Sequence, residues 1–288
     1  MLILYDPRCA EYGDSTRPER ADRVTRTAKH LRAAHPGWKW KVPATPVSDE
    51  TLLLAHTPAL LARLAEPRDF DSDTPYFPGI ADHARRSVAA AVEAVGHALD
   101  RHSPVFSLMR PPGHHATADT AKGFCYLNQV AVAALVAQRD FGAARIAVWD
   151  FDAHHGNGTE AIFLNKPGLL YCSVHEFPAY PGTGAGNIGN SRNWPVRPLA
   201  PRTEHMAALR ASWDAILGFR PELVLVSAGF DAYARDPITS MTLEREDFAE
   251  LGAWLHSSGI ATAAVLEGGY SEELPLLIDA FLAAWIRE

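Results

Sequence analysis

The 288-residue sequence predicts an open α/β fold, with a mainly parallel sheet covered by helices on both faces. Three observations predict it. Short aliphatic runs alternate with amphipathic segments along most of the chain. The amphipathic segments carry apolar residues at steps of three and four, and polar clusters beside glycine fall just past four of the aliphatic runs. No internal repeat, low-complexity tract or linker-like stretch interrupts the pattern, so residues 1–288 read as one domain of a size that large α/β units reach.

In chain order, Leu2 to Tyr5 reads as the first strand. Pro18 to Ala34 reads as a helix, because a proline suits a first turn whose N–H groups have no helical partner. Ala44 to Asp49 and Pro67 to Gly79 read as surface loops. Asp82 to Asp100 is the clearest helix, with Ala84, Val88, Ala91, Val92, Val95, Ala98 and Leu99 along one face. Pro104 to Leu108 reads as a strand, Leu127 to Gln138 as a helix, and Arg145 to Trp149 and Leu169 to Ser173 as strands that lack helical period. Tyr180 to Pro201 is rich in Pro, Gly and Asn and reads as a loop. Glu204 to Leu217 reads as a helix, Glu222 to Ser227 as a strand, Leu243 to Ser257 as a helix, Thr262 to Leu266 as a strand and Glu272 to Ile286 as the last helix.

Composition narrows the function. Against 27 Lys and Arg stand 34 Asp and Glu, a net charge of −7, so the chain lacks the basic excess of a nucleic-acid binder and leaves cationic partners open. Its longest apolar runs, such as Val130 to Ala137, fall short of the ~20 residues that span a bilayer. The start of the chain is too short and too charged for a signal peptide, which predicts a cytoplasmic protein. Three cysteines without a CxxC pair predict reduced thiols at Cys9, Cys125 and Cys172, the last two buried.

The polar clusters carry the chemistry. Strand 104–108 runs into Arg110, Pro111, Pro112, Gly113, His114 and His115; strand 145–149 into Asp150, Asp152, His154 and Asn157; strand 222–227 into Asp231; strand 262–266 into Glu267, Gly268, Gly269 and Tyr270. In open α/β sheets ligands bind at that edge. Alternate residues leaving a strand emerge on one side, so Asp152 and His154 can face one ion, and Asp231 supplies the third ligand of a catalytic site. Taken alone, Asp150–Gly158 is also a polar strand end followed by an Asn-Gly turn, Asp231 a turn carboxylate and Tyr270 a core residue; their joint occurrence at one edge favours a site. His114 and His115 offer acid–base groups suited to neutral pH on a stretch stiffened by two prolines, with Gly113 allowing close backbone packing.

The segments RPPGHHA (110–116), GFCYLN (123–128), WDFDAHHGNGT (149–159), FPAYPGTG (177–184), SAGFDA (227–232) and EGGY (267–270) resemble the histone deacetylase superfamily in content and order. That superfamily includes acetylpolyamine amidohydrolases and has an arginase-like open α/β fold. The resemblance implies that Asp152, His154 and Asp231 bind a divalent metal, usually zinc, and that His115 is general base and then acid beside an electrostatic His114. Asp150 and Asn157 would orient His114 and His115 respectively, with Asn157 leaving His115 less basic than an aspartate would. Tyr270 would stabilise the oxyanion. Phe124, Tyr180 and Gly123 would shape a narrow acyl-lysine tunnel, joined by Gly269, Ile238 and the rim aspartate Asp73. Asp150, Asp152, His154, Ser173 and Val174 match a structural potassium site.

The resemblance implies a zinc-dependent amidohydrolase acting on acylated lysine in peptides or proteins, or, with the same site, on acetylated polyamines or other small amides. A weak acyl-lysine binder is the alternative outside catalysis. An arginase-like two-metal hydrolase is disfavoured, since no second carboxylate set is present to bridge two ions. The donor set also accepts iron(II), cobalt or manganese. Asp236-Pro237-Ile238 lacks the acidic residue that follows Asp-Pro in some polyamine-selective relatives, and the loop Cys9 to Arg17 is short, which leaves a homo-oligomer open.

Overall fold

A computed structural model describes residues 1–44, 47–101 and 103–287. Six aliphatic runs become strands, and two further, partly exposed strands form the edges of the sheet. They are β1 (Leu2–Leu4), β2 (Lys39–Lys41), β3 (Val105–Ser107), β4 (Ile146–Asp150), β5 (Leu169–Glu176), β6 (Ser191–Val196), β7 (Leu223–Ala228) and β8 (Ala261–Leu266). Every residue of β3, β4, β5, β7 and β8 is buried, which is why these segments show no polar–apolar alternation. They form one sheet in the order β2-β1-β3-β8-β7-β4-β5-β6, with every pairing parallel.

The helices are α1 (Asp22–Ala34), α2 (Asp49–Leu52), α3 (Pro58–Arg63), α4 (Ile80–Arg101), α5 (Gln129–Phe141), α6 (Asn157–Phe163), α7 (Arg202–Phe219), α8 (Arg245–Ser258) and α9 (Leu274–Ile286). Helices α4 and α5 pack on each other and over β3, β8, β7 and β4. From β4, Trp149 reaches Trp213 of α7 and Trp254 of α8, with ring centroids 4.9 and 6.1 Å away. Phe151 meets Phe281 of α9 at 5.6 Å. No described helix is long and apolar enough to cross a membrane. All three cysteines are buried and unpaired, Cys9 included.

Six elements depart from the sequence reading, two of them the short helices α2 and α3, which lie where no helix was assigned. β6 lies inside the stretch expected to be loop at 180–201, and β2 was not expected at all. Both are sheet edges, so polar residues and Pro195 are tolerated where one side needs no ladder partner. Helix α1 begins at Asp22 and not at Pro18, because Glu19 turns its side chain inward to Arg110. The Asn-Gly pair at 157–158 starts α6 instead of forming a turn. Residues 45 and 46, within the loop expected at 44–49, lie outside the described residues.

Candidate active site

The sheet order makes β3, β8, β7 and β4 consecutive, so the four polar clusters that follow them meet at one C-terminal edge. Asp152 and His154 leave β4 in a non-helical loop, and Asp231 follows β7. His154 Nδ1 lies 3.2 Å from Asp152 Oδ1 and 3.0 Å from Asp231 Oδ2. Burial works against charge on His154, but the two carboxylates overcome it and raise the imidazole well above its ordinary value. Burial, and then the charge of Asp152, push the Asp231 carboxyl up. Two buried carboxylates and one imidazole, with ligand atoms within 4.8 Å of one another, are a donor set that fits a divalent ion. Gly229 backs this set: a Cβ there would stand 2.1 Å from Asp152 Oδ2 and 2.5 Å from the Asp152 Cα.

The histidine pair is held by different partners. His114 Nδ1 lies 3.1 Å from Asp150 Oδ2, which also accepts from the Tyr171 hydroxyl at 2.9 Å. His115 Nδ1 donates to Asn157 Oδ1 at 2.9 Å, the first residue of α6. The rings lie 4.0 Å apart. Burial opposes charge on His114, yet Asp152 and Asp150 raise it to about 10. His115 goes the other way: burial, then the positive charge of His114 and His154, push it well below the ordinary imidazole value. Neighbouring groups pushed apart in this way divide into a proton holder and a proton acceptor.

Tyr270 follows β8. Its N–H donates to Asp236 Oδ2 at 2.7 Å, and its ring lies beneath the Arg23 guanidinium at 4.7 Å and edge-on to Phe124 at 5.8 Å. Burial keeps the phenol protonated by raising it well above the ordinary value. A cavity of about 290 Å³ opens over these groups. His115, His154 and Tyr270 lie among its lining residues, Gly123, Phe124 and Tyr180 form walls, and Arg17, Pro18, Asp73 and Ile238 complete the lining. Phe124 holds a left-handed backbone with φ 66°, and its N–H donates to Thr74 Oγ1 at 3.1 Å.

Gly269 is not among the lining residues; its carbonyl accepts from Arg23 Nε at 2.7 Å. Asp150 and Ser173 are register partners across β4 and β5, and Asp152 N donates to Asp150 Oδ1 at 3.2 Å. Val174 is buried beside them, while Ser173 Oγ pairs with His175 Nδ1 at 2.8 Å, which gives that histidine a structural place. A second group, His114, Cys125 and Glu267, is fully buried. Its carboxylate already accepts from Gly113 N at 2.7 Å and His114 N at 3.2 Å, so it anchors the histidine loop.

Sequence reasoning gave no role to the buried charges beneath the site. Arg110 is fully buried, with Nε 2.5 Å and Nη2 2.8 Å from the Glu19 carboxylate and Nη1 on Cys9 O at 2.9 Å. Arg23 Nη1 joins Glu19 at 3.3 Å, and Asp236 caps Tyr270 and Ile238 N–H groups. A hint was available: Arg110 lies three residues past the fully buried β3 and Glu267 directly follows the fully buried β8, where a charge needs a buried partner.

Residues 17–284 match the family described as histone deacetylase domain. The chain is 40% identical over 269 residues, 88% of each sequence, to an uncharacterized protein of Synechocystis sp.. It is 37% identical over 249 residues, 80% of this chain and 66% of the relative, to a histone deacetylase-like amidohydrolase of Pseudomonas aeruginosa. Among solved structures, an acetylpolyamine aminohydrolase from Burkholderia pseudomallei superposes with a TM-score of 0.90 at 25% identity, covering 99% of this chain and 98% of that one.

Proposed function

The chain belongs to the histone deacetylase domain family, a family of amide hydrolases, and from that premise we propose that it is a zinc-dependent amidohydrolase removing acetyl or related acyl groups from lysine side chains of peptides or proteins. One observation carries this reading: His154 of the Asp152/His154/Asp231 donor set, His115 of the split histidine pair and Tyr270 all line one cavity, with Phe124 and Tyr180 among its walls. An ion held by Asp152, His154 and Asp231 would supply a Lewis acid for the amide carbonyl and acidify an attacking water. A structural potassium ion would take Asp150, Asp152, His154, Ser173 and Val174, several through backbone carbonyls.

The protein groups divide the remaining work. His115, neutral and oriented through Nδ1 by Asn157, presents Nε2 as the base that takes the proton of the attacking water. His114, paired with Asp150, keeps a positive charge beside the developing negative one. Tyr270 O–H donates to the oxyanion as the carbonyl becomes tetrahedral. The protonated His115 then gives its proton to the leaving amine, so the products are a carboxylate and a free amine. Phe124 and Tyr180 flank the uncharged acyl-lysine stem, and Asp73 accepts from substrate N–H groups at the mouth.

A second reading, hydrolysis of acetylated polyamines by the same groups, is favoured by one observation: the chain superposes over nearly its whole length on an acetylpolyamine aminohydrolase. Acetate release from an acetyl-lysine peptide and from acetylspermidine, by zinc-loaded and chelated protein in parallel, separates the two. Preference for the peptide supports the deacylase, and preference for the amine supports the polyamine reading. Equal turnover with and without chelator refutes both.

A further inference from the structure

The mouth of the cavity carries a guanidinium that none of these roles uses. Arg17 lines the cavity beside Asp73, Phe124, Tyr180 and Ile238. Its mount is rigid. Arg17 N donates to Asp14 O at 3.1 Å, Pro18 fixes the next φ, and Glu19 is locked inside by Arg110 and Arg23. The head group is only half committed. Nη1 donates to Ser72 O at 2.9 Å, while among the described residues Nε and Nη2 have no acceptor and no carboxylate comes within 4.0 Å. Asp14, three residues earlier, already accepts from Thr16 N at 2.8 Å and Thr16 Oγ1 at 2.7 Å.

A second cation stands near the entrance: Lys122 Nζ lies 5.3 Å from the centre of the Tyr180 ring. Asp71 and Asp73 act on the same tyrosine from the acidic side. The mouth therefore offers both signs of charge and not an acidic ring. A polyamine, protonated at each free nitrogen, would bring its cations against Arg17 and Lys122. An acyl-lysine with a free α-carboxylate would bring an anion to a planar fork with a vacant edge, at the outer end of its four-carbon stem, and an N–H to Asp73.

We propose that Arg17 determines specificity by binding a carboxylate on the α-carbon of the acylated lysine. The preferred substrates are then the free acylated amino acid or a peptide ending in acyl-lysine, ahead of acyl-lysine within a chain and of acylated polyamines. This rests on the acyl-lysine hydrolase reading of the cavity. The guanidinium adds nothing to the chemical step; it holds the substrate by a charge-assisted contact at a wet rim.

The test uses the full zinc-loaded chain and four probes: Nε-acetyl-lysine, a peptide ending in acetyl-lysine with a free carboxylate, the same peptide as its carboxamide, and acetylspermidine. We expect kcat/KM for the carboxylate peptide to exceed that for the carboxamide by about tenfold, mostly in KM, and to lose that lead at high salt. Arg17→Gln should bring the ratio near one, and Arg17→Lys should keep part of it, since an ammonium keeps the charge without the fork. Free amino acid against carboxylate peptide decides the source of the anion, and either order supports the proposal while the ratio holds. A ratio of one or less in the parent protein, or an unchanged ratio in Arg17→Gln, overturns it.

Calorimetric binding of the two peptides to zinc-loaded Tyr270→Phe protein separates this proposal from the hydrolase reading. Tighter binding of the carboxylate peptide without turnover of any probe by the parent would end the hydrolase reading and leave Arg17 in place. Turnover with no preference in either assay would end the Arg17 proposal alone.

Discussion

Replacing Glu19 by Gln removes one negative charge from beneath the site and leaves two buried guanidinium groups facing a neutral amide. Glu19 is 7% exposed, and its oxygens receive Arg110 Nε at 2.5 Å, Arg110 Nη2 at 2.8 Å, Arg23 Nη1 at 3.3 Å and the Tyr12 hydroxyl at 3.3 Å. Gln keeps the shape and one acceptor, so the loss belongs at the lower end of the cost of breaking a buried pair, about 3 kcal/mol. With roughly 2.1 cal/mol/K of unfolding entropy per residue, a chain this long has about 0.6 kcal/mol/K, and the melting temperature should fall by ~5 °C. Scanning calorimetry at neutral pH measures it. The pH dependence supplies a second check with a fixed sign. Burial alone would raise the Glu19 carboxyl, but Arg110 and Arg23 hold it below its ordinary value of 4.5. Its stabilisation is thus complete above 4.5 and is lost as pH falls through the lower folded value. The gap between parent and variant must narrow on acidification below 4.5. A fall of less than ~1 °C at neutral pH, or a gap that widens in acid, would refute a buried ion pair at this position.

Tyr270→Phe keeps the ring under Arg23 and loses only the hydroxyl, so kcat should drop about 10²- to 10³-fold with zinc content unchanged by metal analysis; undiminished kcat would remove the phenol from the mechanism. Gly229→Ala has no room for its methyl against Asp152, backbone included, so the variant should lose both divalent-metal affinity and several degrees of melting temperature; native-like titration with zinc would contradict this. His205 is fully buried with both ring nitrogens unpartnered among the described residues, and burial holds it at about 3. The folded state therefore resists a proton that the unfolded chain accepts below 6.5, and stability falls by up to ~1.4 kcal/mol per pH unit from 6.5 down to the folded value. In urea melts at pH 7 and pH 5, His205→Leu should gain on the parent at the lower pH, and parallel shifts of both proteins would count against the assignment.

The central strands were legible because burial on both faces leaves an unbroken aliphatic run, as in Ile146–Trp149, and α4 was legible because its period repeats over 22 residues. β6, with Ser191, Asn193 and Pro195, was not legible, since an edge strand is specified by its neighbour β5 and not by its own pattern. The same limit hid α6: Asn157 and Gly158 favour a turn locally, and it is Gly158 N donating to His114 O at 3.0 Å that draws the helix start against the histidine loop. At the site, residue types and order showed which strand ends carried chemistry. That β3, β8, β7 and β4 are neighbours is a fact of topology that no single segment contains. Arg17 and Glu19 were silent because an arginine just before an expected helix and a glutamate in its first turn look like ordinary surface; their separate destinations, rim and interior, exist only once the chain is folded.

The left-handed backbone at Phe124 narrows the routes by which this tunnel can change in evolution. A side chain in that conformation costs roughly 1–2 kcal/mol, and β-branched residues fit it worst. Exchanging the aromatic wall for Val, Ile or Thr would therefore alter the lining and the course of the main chain together. Gly or Asn would relax the main chain but open the wall. A lineage selecting for bulkier acyl groups meets less resistance at Ile238 or Tyr180, which stand 38% and 40% exposed and are outside the left-handed region, so drift in substrate range should accumulate at those two positions before it reaches Phe124.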